Sequence, residues 1–365
     1  MKVLMLKLRN YRNYTDLHLP LTPTINIFLG ANAQGKTNIA EAVYYAAMGR
    51  SHRTHTDTDL INWQQEESSL KIVYERCSVE NTLEFHFYRG KRREILSNGH
   101  PIRHKDLIGQ MNAVLFSPED LFLIKGAPAE RRHFLDSEIS QANPSYYVEL
   151  AKYMRLVTQR NSLLKKIRER KMTADQLDVW DLPLAASAAK VVEKRQAAVK
   201  KLNMLANLMH RKISHNTESL RLFYEITGQE DVTDDLFSWY NNSLTAFREK
   251  DILRGSTSIG PHRDDLILEV NNVNLRSFGS QGQQRTGVLA LKLAELEFIK
   301  SETGEYPVLI LDDVMSELDA QRRHQLLNFI QQERIQTIIT ATDAAYFPAG
   351  KFGCCYRVQN GKILE

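Results

Sequence analysis

The sequence predicts an α/β fold in which both ends of the chain build one lobe and a compact helical lobe is inserted between them. At the N-terminal end, apolar and polar residues alternate as they do in half-buried strands. Short apolar runs bounded by turn residues return toward the C-terminal end. The middle of the chain instead repeats apolar residues every three to four positions, as helices do.

The N-terminal elements follow the order strand, glycine loop, helix. Residues Val3–Leu19 have strand alternation, and the apolar run Ile25–Leu29 stops at Gly30. Helical spacing then covers Asn38–Met48. Further strands are predicted at Leu70–Tyr88 and Glu94–Ile102, with a hairpin turn at Asn98-Gly99.

The middle region is predicted to be helical at Ala129–Ser140, Ser145–Lys171, Leu182–His215 and Asp234–Arg254. Strands return at Leu266–Val270, Val308–Leu311 and Thr337–Thr340, around a helix at Gln283–Lys300. We therefore expect the first part of the α/β lobe at residues 1–125, the inserted helical lobe at 126–256 and the second part of the α/β lobe at 257–365.

Composition excludes several classes of protein. The 365 residues are 42% hydrophobic and 25% charged, which is ordinary for a globular protein and excludes disordered and fibrous chains. Three cysteines, two of them adjacent, cannot form a disulfide framework. No apolar run approaches the length needed to cross a bilayer, and the N-terminus lacks the pattern of an export signal. We expect a cytoplasmic protein without membrane association.

Positive charge is concentrated in one region. The chain has a net charge of +4. Residues Lys152 to Lys212 contain fifteen Lys or Arg and five Asp or Glu, so this stretch alone carries +10 and the remainder of the chain is net acidic. Basic helices of this kind are candidates for contact with DNA phosphates, although charged helix faces are commonly only solvated.

The glycine loop fits the phosphate-binding pattern G-x-x-x-x-G-K-[ST]. Two glycines let backbone N–H groups face a phosphate, the lysine reaches the β and γ phosphates, and the Thr37 hydroxyl can bind Mg²⁺. The strand and helix on either side are those that this loop requires. The candidate ATP-binding residues are Gly30, Ala31, Asn32, Ala33, Gln34, Gly35, Lys36 and Thr37.

The run Val308–Leu311 followed by Asp312-Asp313 is typical of a Walker B strand, which ends in carboxylates beside a phosphate loop. Asp312 is the candidate Mg²⁺ ligand together with Thr37. Asp313 is the candidate group to polarise an attacking water.

The segment FGSQGQQR, Phe278 to Arg285, opens a helix, and its small residues Gly279, Ser280 and Gly282 at the helix N-terminus provide a second candidate anion site. Between a phosphate loop and a Walker B strand, this segment resembles the signature motif of ATP-binding-cassette ATPases. Ser280, Gly282 and Gln283 occupy the matching places, and Ser316 to Asp319 resembles the D-loop. In that superfamily the signature of one subunit closes over ATP held by another. The resemblance therefore implies that Ser280, like Lys36 and Asp313, acts in catalysis. It implies that Gly282, Gln283 and Asp319 take part in ATP binding.

The long separation between phosphate loop and signature, filled by helices without sustained heptads, favours the RecF branch of these ATPases. The chain resembles the RecF family over essentially its whole length. The resemblance is carried by LRNYRNY near the N-terminus, FSPEDL at Phe116–Leu121, RRHFLD at Arg131–Asp136, SIGPHRDDL at Ser258–Leu266, and LILDDVMSELD.

The resemblance implies an ATP-dependent DNA-binding protein of recombinational repair and replication-fork maintenance. Such a protein forms an ATP-dependent homodimer, binds single-stranded and gapped duplex DNA, and works with RecO and RecR to help load RecA, with a link to the SOS response. ATP and Mg²⁺ are the implied cofactors.

Some assignments stay open. Asp313 stands where many cassette ATPases have Glu, which is consistent with slow, DNA-stimulated hydrolysis that acts as a switch. FSPEDL has no Gln, so Ser117 or Glu119 could act in the Q-loop. Candidates for the DNA surface other than the basic helices are Arg89, Lys91, Arg92, Arg93, Arg131 and Arg132. Two alternative functions are a protein-binding scaffold that nucleotide only stabilises and a cassette ATPase that energises membrane transport.

Overall fold

The computed structural model describes residues 1–229, 235–347 and 352–364, and the chain divides into two units. We call Met1–Leu121 with Val288–Glu365 the terminal unit and Phe122–Gly287 the inserted unit. The expected α/β class with a largely helical insertion is confirmed. No helix within the described ranges is long and apolar enough to cross a bilayer.

The terminal unit contains two six-stranded sheets. The first is antiparallel in the order β2-β1-β4-β5-β6-β7, formed by β1 (Lys2–Tyr11), β2 (Tyr14–Pro20), β4 (Glu67–Arg76), β5 (Val79–Tyr88), β6 (Glu94–Ser97) and β7 (His100–Pro101). The second has the order β15-β14-β3-β13-β12-β8, formed by β3 (Ile25–Leu29), β8 (Ala113–Phe116), β12 (Val308–Asp312), β13 (Thr337–Ala341), β14 (Cys354–Gln359) and β15 (Lys362–Leu364). Its strands are parallel except for β15.

Continuous apolar runs explain the centre of the second sheet. Every residue of β12 and β13 is buried, as expected of parallel strands that are covered on both faces. One apolar core connects residues of both sheets with Ile39, Val43 and Tyr45 of the helix that follows the glycine loop. The helices of this unit are α1 (Lys36–Met48), α2 (His104–Leu107), α11 (Ala320–Gln332) and most of α10 (Gln281–Thr303).

Outside residues 230–234, the structure of the inserted unit contains helices and one small sheet. Its helices are α3 (Phe122–Lys125), α4 (Pro128–Ala142), α5 (Pro144–Arg168), α6 (Asp178–Ile213), α7 (Leu236–Ala246), α8 (Arg248–Arg254) and α9 (Leu275–Phe278). Its antiparallel sheet has the order β11-β10-β9, with β9 (Leu220–Glu225), β10 (Asp265–Val270) and β11 (Val273–Asn274). The expected helix at Asp234–Arg254 is divided into α7 and α8, and its first residue lies outside the described residues.

The structure places the second unit boundary later in the chain than we expected. The sequence assigned residues 257–365 to the terminal lobe, whereas residues up to Gly287 belong to the inserted unit. The cause is the pairing of β10 with β9, in which Asp265 lies opposite Glu225 and Val270 opposite Leu220. Strand periodicity reveals that β10 is a strand, but not which strand it joins.

Candidate nucleotide-binding site

The glycine loop connects β3 to α1 at the carboxyl edge of the parallel sheet, where ligands of such sheets are bound. Gly35 has φ +114°, and a Cβ there would lie 2.9 Å from the Tyr14 hydroxyl, which donates a hydrogen bond to the Gly35 carbonyl at 3.1 Å. A Cβ at Gly30 would lie 2.4 Å from the Val358 carbonyl oxygen. Both positions therefore require glycine, for conformation and for space respectively.

The loop is held from outside by backbone and amide groups. Asn13 Nδ2 donates to the Gln34 carbonyl at 3.1 Å, and the Gly361 N–H donates to the same carbonyl at 3.0 Å. The Asn360 N–H donates to Gln34 Oε1 at 2.7 Å. The loop therefore has a fixed shape that its own sequence does not explain, because Asn13, Asn360 and Gly361 come from opposite ends of the chain.

The Lys36 ammonium lies inside the loop. Its Nζ donates to the carbonyl oxygens of Gly30 at 2.7 Å and Ala31 at 2.8 Å, and the side chain is buried. Burial lowers the pKa of Lys36, while Asp313 and Asp312 act in the opposite direction. A lysine held in this way carries its charge at the place where phosphate groups would lie.

Thr37 and Asp312 come together although 275 residues separate them. Thr37 Oγ1 donates to Asp312 Oδ1 at 3.0 Å, and Thr340 Oγ1 donates to the same oxygen at 2.6 Å. Asp312 and Thr340 are opposite each other in the β12–β13 register. Hydroxyl and carboxylate oxygens are hard donors that suit Mg²⁺, so these residues fit the expected ion.

Asp313 follows the strand in a left-handed conformation, with φ +54°. Its backbone N–H donates to both the carbonyl oxygen and Oγ1 of Thr340, at 3.2 and 3.0 Å. Burial raises the pKa of the Asp313 carboxyl, and Lys36 opposes this shift. A carboxylate with a raised pKa near the phosphate loop suits the proton transfer proposed for it.

Glu41 and His52 lie beside this site and were not identified by the sequence analysis. Glu41 is fully buried in α1 and accepts hydrogen bonds from Arg12 Nε at 2.9 Å and Nη2 at 2.6 Å, and from Ser51 Oγ at 2.5 Å. His52 Nε2 lies 3.9 Å from Asp312 Oδ2, and burial lowers the pKa of His52. The signal available in the sequence was a glutamate within the apolar stretch from Ile39 to Met48.

The signature segment belongs to the inserted unit, where it begins α10. Ser280 and Gln283 form a capping box: Gln283 N–H donates to Ser280 Oγ at 3.2 Å, and Ser280 N–H donates to Gln283 Oε1 at 3.0 Å. Gly282 lies between them in the first turn. Glu218, which the sequence analysis missed, accepts a hydrogen bond from Gln283 Nε2 at 2.8 Å. This carboxylate fixes the amide of the capping residue.

The D-loop residue Asp319 caps α11. Its Oδ1 accepts the Arg322 N–H at 2.8 Å, and its carboxylate pairs with the Arg322 guanidinium. Ser316 Oγ donates to the Asp313 carbonyl at 2.9 Å, so the turn after β12 is linked to the start of the D-loop.

Several arginines considered for DNA contact are buried in ion pairs within the inserted unit. Arg131 makes a two-pronged ion pair with Asp265, with both N–O distances 2.7 Å. Within the basic helices, Arg160 is fully buried against Asp181 and Asp251, and Arg195 is buried against Asp136. Arg89, Lys91 and Arg92 are exposed.

Comparison with known proteins gives full-length matches. The family model described as the RecF/RecN/SMC N terminal domain matches residues 2–362. A protein named DNA replication and repair protein RecF from Natranaerobius thermophilus is 43% identical, and the alignment covers 100% of this chain and 98% of that protein. The chain belongs to the RecF family. The protein of the same name from Clostridium botulinum strain Loch Maree is 42% identical over 98% of this chain and 97% of its own length.

Solved structures agree with membership of the RecF family. A structure described as the recombination mediator protein RecF-ATPrS in the RecFOR pathway is 34% identical, with a TM-score of 0.91 and coverage of 99% of this chain and 97% of that chain. A second RecF structure, described as the complex with ATP, matches at 33% identity and the same TM-score. An Smc head from Pyrococcus furiosus, 16% identical with a TM-score of 0.57, shares the fold.

Proposed function

We propose that this RecF-family chain is an ATP-dependent DNA-binding protein of recombinational DNA repair and replication-fork maintenance. The observation that carries the proposal is the meeting of Lys36, Thr37 and Asp312 at the carboxyl edge of one parallel sheet. This arrangement has the parts needed to hold a nucleoside triphosphate and its Mg²⁺ ion. Support comes from the RecF relative at 33% identity, which is described with ATP.

Each group of this site would have a separate role in binding and hydrolysing ATP. Backbone N–H groups of Gly30 to Thr37 and the Lys36 ammonium bind the phosphates. Thr37 and Asp312 hold Mg²⁺, whose charge favours phosphoryl transfer. Asp313 accepts the proton of the attacking water, and its short side chain makes turnover slow.

ATP would act mainly as a switch of assembly. Ser280, Gly282 and Gln283 of one copy close on the ATP held by a second copy, so the homodimer forms with ATP and opens after hydrolysis. Asp319 contributes to the same composite site. The dimer binds single-stranded and gapped duplex DNA in the cytoplasm, and with RecO and RecR it helps load RecA and supports the SOS response.

Sedimentation velocity with and without ATP and Mg²⁺ tests this proposal. We expect wild type to dimerise only with ATP, and Lys36→Ala to stay monomeric because it loses the phosphate contact. Ser280→Arg should bind ATP as a monomer but fail to dimerise, because its larger side chain fills the composite site.

DNA binding supplies the second part of the test. Gapped duplex should bind the ATP-loaded dimer more tightly than the Ser280→Arg monomer and should accelerate hydrolysis. A wild-type chain that remained monomeric with ATP and did not respond to DNA would contradict the proposal and favour the scaffold function.

A further inference from the structure

Trp63 is an aromatic residue whose exposure the fold does not explain. Its side chain is 91% exposed, the highest value among the large hydrophobic residues in the described part of the chain. Tryptophan usually buries most of its ring system and is enriched at binding surfaces. An indole left in water in this way suggests a ligand that covers it.

The backbone that carries Trp63 is firmly held. The Asn62 N–H donates to the Asn10 carbonyl at 2.8 Å, and Asn62 Nδ2 donates to the Arg12 carbonyl at 2.9 Å. The Gln65 N–H donates to the Asn62 carbonyl at 2.9 Å and closes the turn over Trp63. The indole is therefore presented by a fixed turn at the start of β4, which is an arrangement suited to binding.

Three arginines line the groove that contains the indole. Trp63 lines an open groove of about 540 Å³ together with Arg12, Arg53 and Arg89. Arg12 is committed to Glu41, and Arg53 Nη1 lies 3.6 Å from the same carboxylate and donates to Asn38 Oδ1 at 2.9 Å, although its side chain is exposed. Arg89 is exposed, and Asp59 is an acidic residue of the lining. Arg89 Nε donates to the Gln65 carbonyl at 3.0 Å, which fixes its guanidinium beside the turn. We call Arg53, Trp63 and Arg89 the Trp63 site.

The positive surface continues from the groove. A second groove shares Thr58 with the first and is lined by Lys91, Arg92 and Arg93. Arg93 is paired with Asp57 and Lys91 Nζ lies 3.6 Å from Glu94 Oε1, while Arg92 is exposed. A chain of phosphates that extends beyond the Trp63 site would therefore meet Arg92, and also Lys91 if a phosphate replaces Glu94 as its partner.

We propose that the Trp63 site binds an unpaired base of DNA, with the base stacked on the indole and the neighbouring phosphates on Arg53 and Arg89. An aromatic face beside a basic groove is the arrangement that binds single strands without sequence preference. A base inside a duplex is covered by its neighbours and cannot offer its face. The site would thus give the chain a means to distinguish a single-stranded stretch from a continuous duplex. This inference rests on the proposed DNA-binding function and deepens it.

Fluorescence anisotropy of the full chain tests the inference, using labelled oligo-dT, a gapped duplex and a blunt duplex, each with and without ATP. Trp63→Ala should weaken binding to oligo-dT by about tenfold, because stacking on one aromatic residue typically contributes that much. Binding to the blunt duplex should not change. Trp63→Phe should retain most of the affinity, since it keeps an aromatic face.

Salt dependence separates stacking from charge. Trp63→Ala should leave the slope of log affinity against log salt unchanged, whereas Arg89→Ala should reduce the slope by about 0.7 for the lost phosphate contact. Val79→Ala is the matched control, because Val79 is an exposed apolar residue at the far end of β4 and β5. It should change neither affinity nor slope.

Different failures have different meanings. A wild-type chain that binds none of the DNAs would overturn the proposed function and this inference with it. Wild-type binding that Trp63→Ala leaves intact, or weakens equally for blunt duplex, would overturn the inference alone. If Trp63→Ala lost affinity for a fluorescent ATP analogue in the absence of DNA, the indole would be assigned to the adenine of ATP. That result would also overturn the inference.

Discussion

At the scale of the residue, Asp312 shows how much of the site depends on strand register. Its Oδ1 accepts hydrogen bonds from both Thr37 and Thr340, and His52 lies near its other oxygen. The sequence predicted Thr37 and Asp312 because their motifs are local. It predicted Thr340 only as the last residue of a strand, because the contact of Thr340 with Asp312 depends on the pairing of β12 with β13. His52 has no motif that points to it.

The buried ion pair of Arg12 and Glu41 should stabilise the terminal unit. Glu41→Ala leaves the Arg12 guanidinium without its carboxylate, so we expect the free energy of unfolding to fall by about 3 kcal/mol. Urea denaturation followed by circular dichroism measures this change. Glu84→Ala, which removes a more exposed pair with Lys71, is the control and should cost under about 1 kcal/mol. Equal losses in the two variants would refute the prediction.

Glu218 should influence dimerisation through Gln283. Glu218→Ala removes the acceptor that holds the Gln283 amide, so we expect the ATP-dependent dimer to dissociate at about tenfold higher protein concentration. Glu218→Gln keeps an acceptor oxygen and should lose less. Sedimentation equilibrium gives the dimer constant, and titration with a fluorescent ATP analogue in the Ser280→Arg background should show unchanged monomer affinity. A loss of that affinity would contradict a positioning role.

Two buried groups of the inserted unit should have opposite pH effects. Burial raises the pKa of Asp264 to about 6, so its stabilising contribution is complete below pH 3.8 and is lost as the pH rises through 6. Burial lowers the pKa of His262 to about 4, so its contribution is complete above pH 6.5 and is lost as the pH falls through 4. In wild type the effects of Asp264 and His262 on the free energy of unfolding largely cancel between about pH 4 and pH 6.

Single substitutions should reveal each effect. We compare the free energy of unfolding at pH 6.5 with that at pH 4.5, as the first value minus the second. In Asp264→Asn this difference should be more positive than in wild type, by on the order of 2 kcal/mol. In His262→Gln the same difference should become more negative. Urea titrations followed by Trp180 and Trp239 fluorescence in a Trp63→Phe background report on this unit. Identical pH differences in all three proteins would disprove the assignment.

At the scale of the element, local patterns predicted the glycine loop, α1, β12 and the helices of the middle region. The start of α10 was predicted within a few residues, because Ser280 and Gln283 make a local capping box. The sequence did not reveal that β10 belongs with β9, since strand pairing depends on contacts between distant residues. The capping link from Glu218 was missed for the same reason.

Arg160 joins three helices of the inserted unit through ion pairs, and we expect these pairs to stabilise the unit. It lies in α5 and pairs at 2.7 Å with Asp181 of α6 and with Asp251 of α8. Arg160→Ala leaves the buried Asp251 without its cation and leaves Asp181 with Arg248, so we expect a loss of about 3–5 kcal/mol in unfolding free energy. Arg248→Ala removes a partly exposed partner of Asp181 and should cost about 1 kcal/mol. Urea denaturation compares the two, and a larger loss for Arg248→Ala would contradict this order.

At the scale of the whole molecule, the two units should respond differently to ATP when dimerisation is blocked. Trp63 belongs to the terminal unit, whereas Trp180 and Trp239 belong to the inserted unit. In Ser280→Arg, ATP at 100 times its dissociation constant should stabilise the terminal unit by about 2.7 kcal/mol. With ATP, the midpoint of thermal unfolding followed by tryptophan fluorescence should therefore rise in a variant whose only tryptophan is Trp63. It should not change in a variant that lacks Trp63 and keeps Trp180 and Trp239. Equal shifts would show that the two units unfold together.

The strand order of the parallel sheet has a consequence for synthesis of the chain. β3, at residues 25–29, lies between β13 and β14, which include residues 337–341 and 354–359. On the ribosome, β3 and the phosphate loop leave the exit tunnel long before either neighbouring strand has been made. The inserted unit has all its residues available earlier and can fold first. Until the last strands emerge, β3 has two unpaired edges, so we expect nascent chains to need protection from association until synthesis ends.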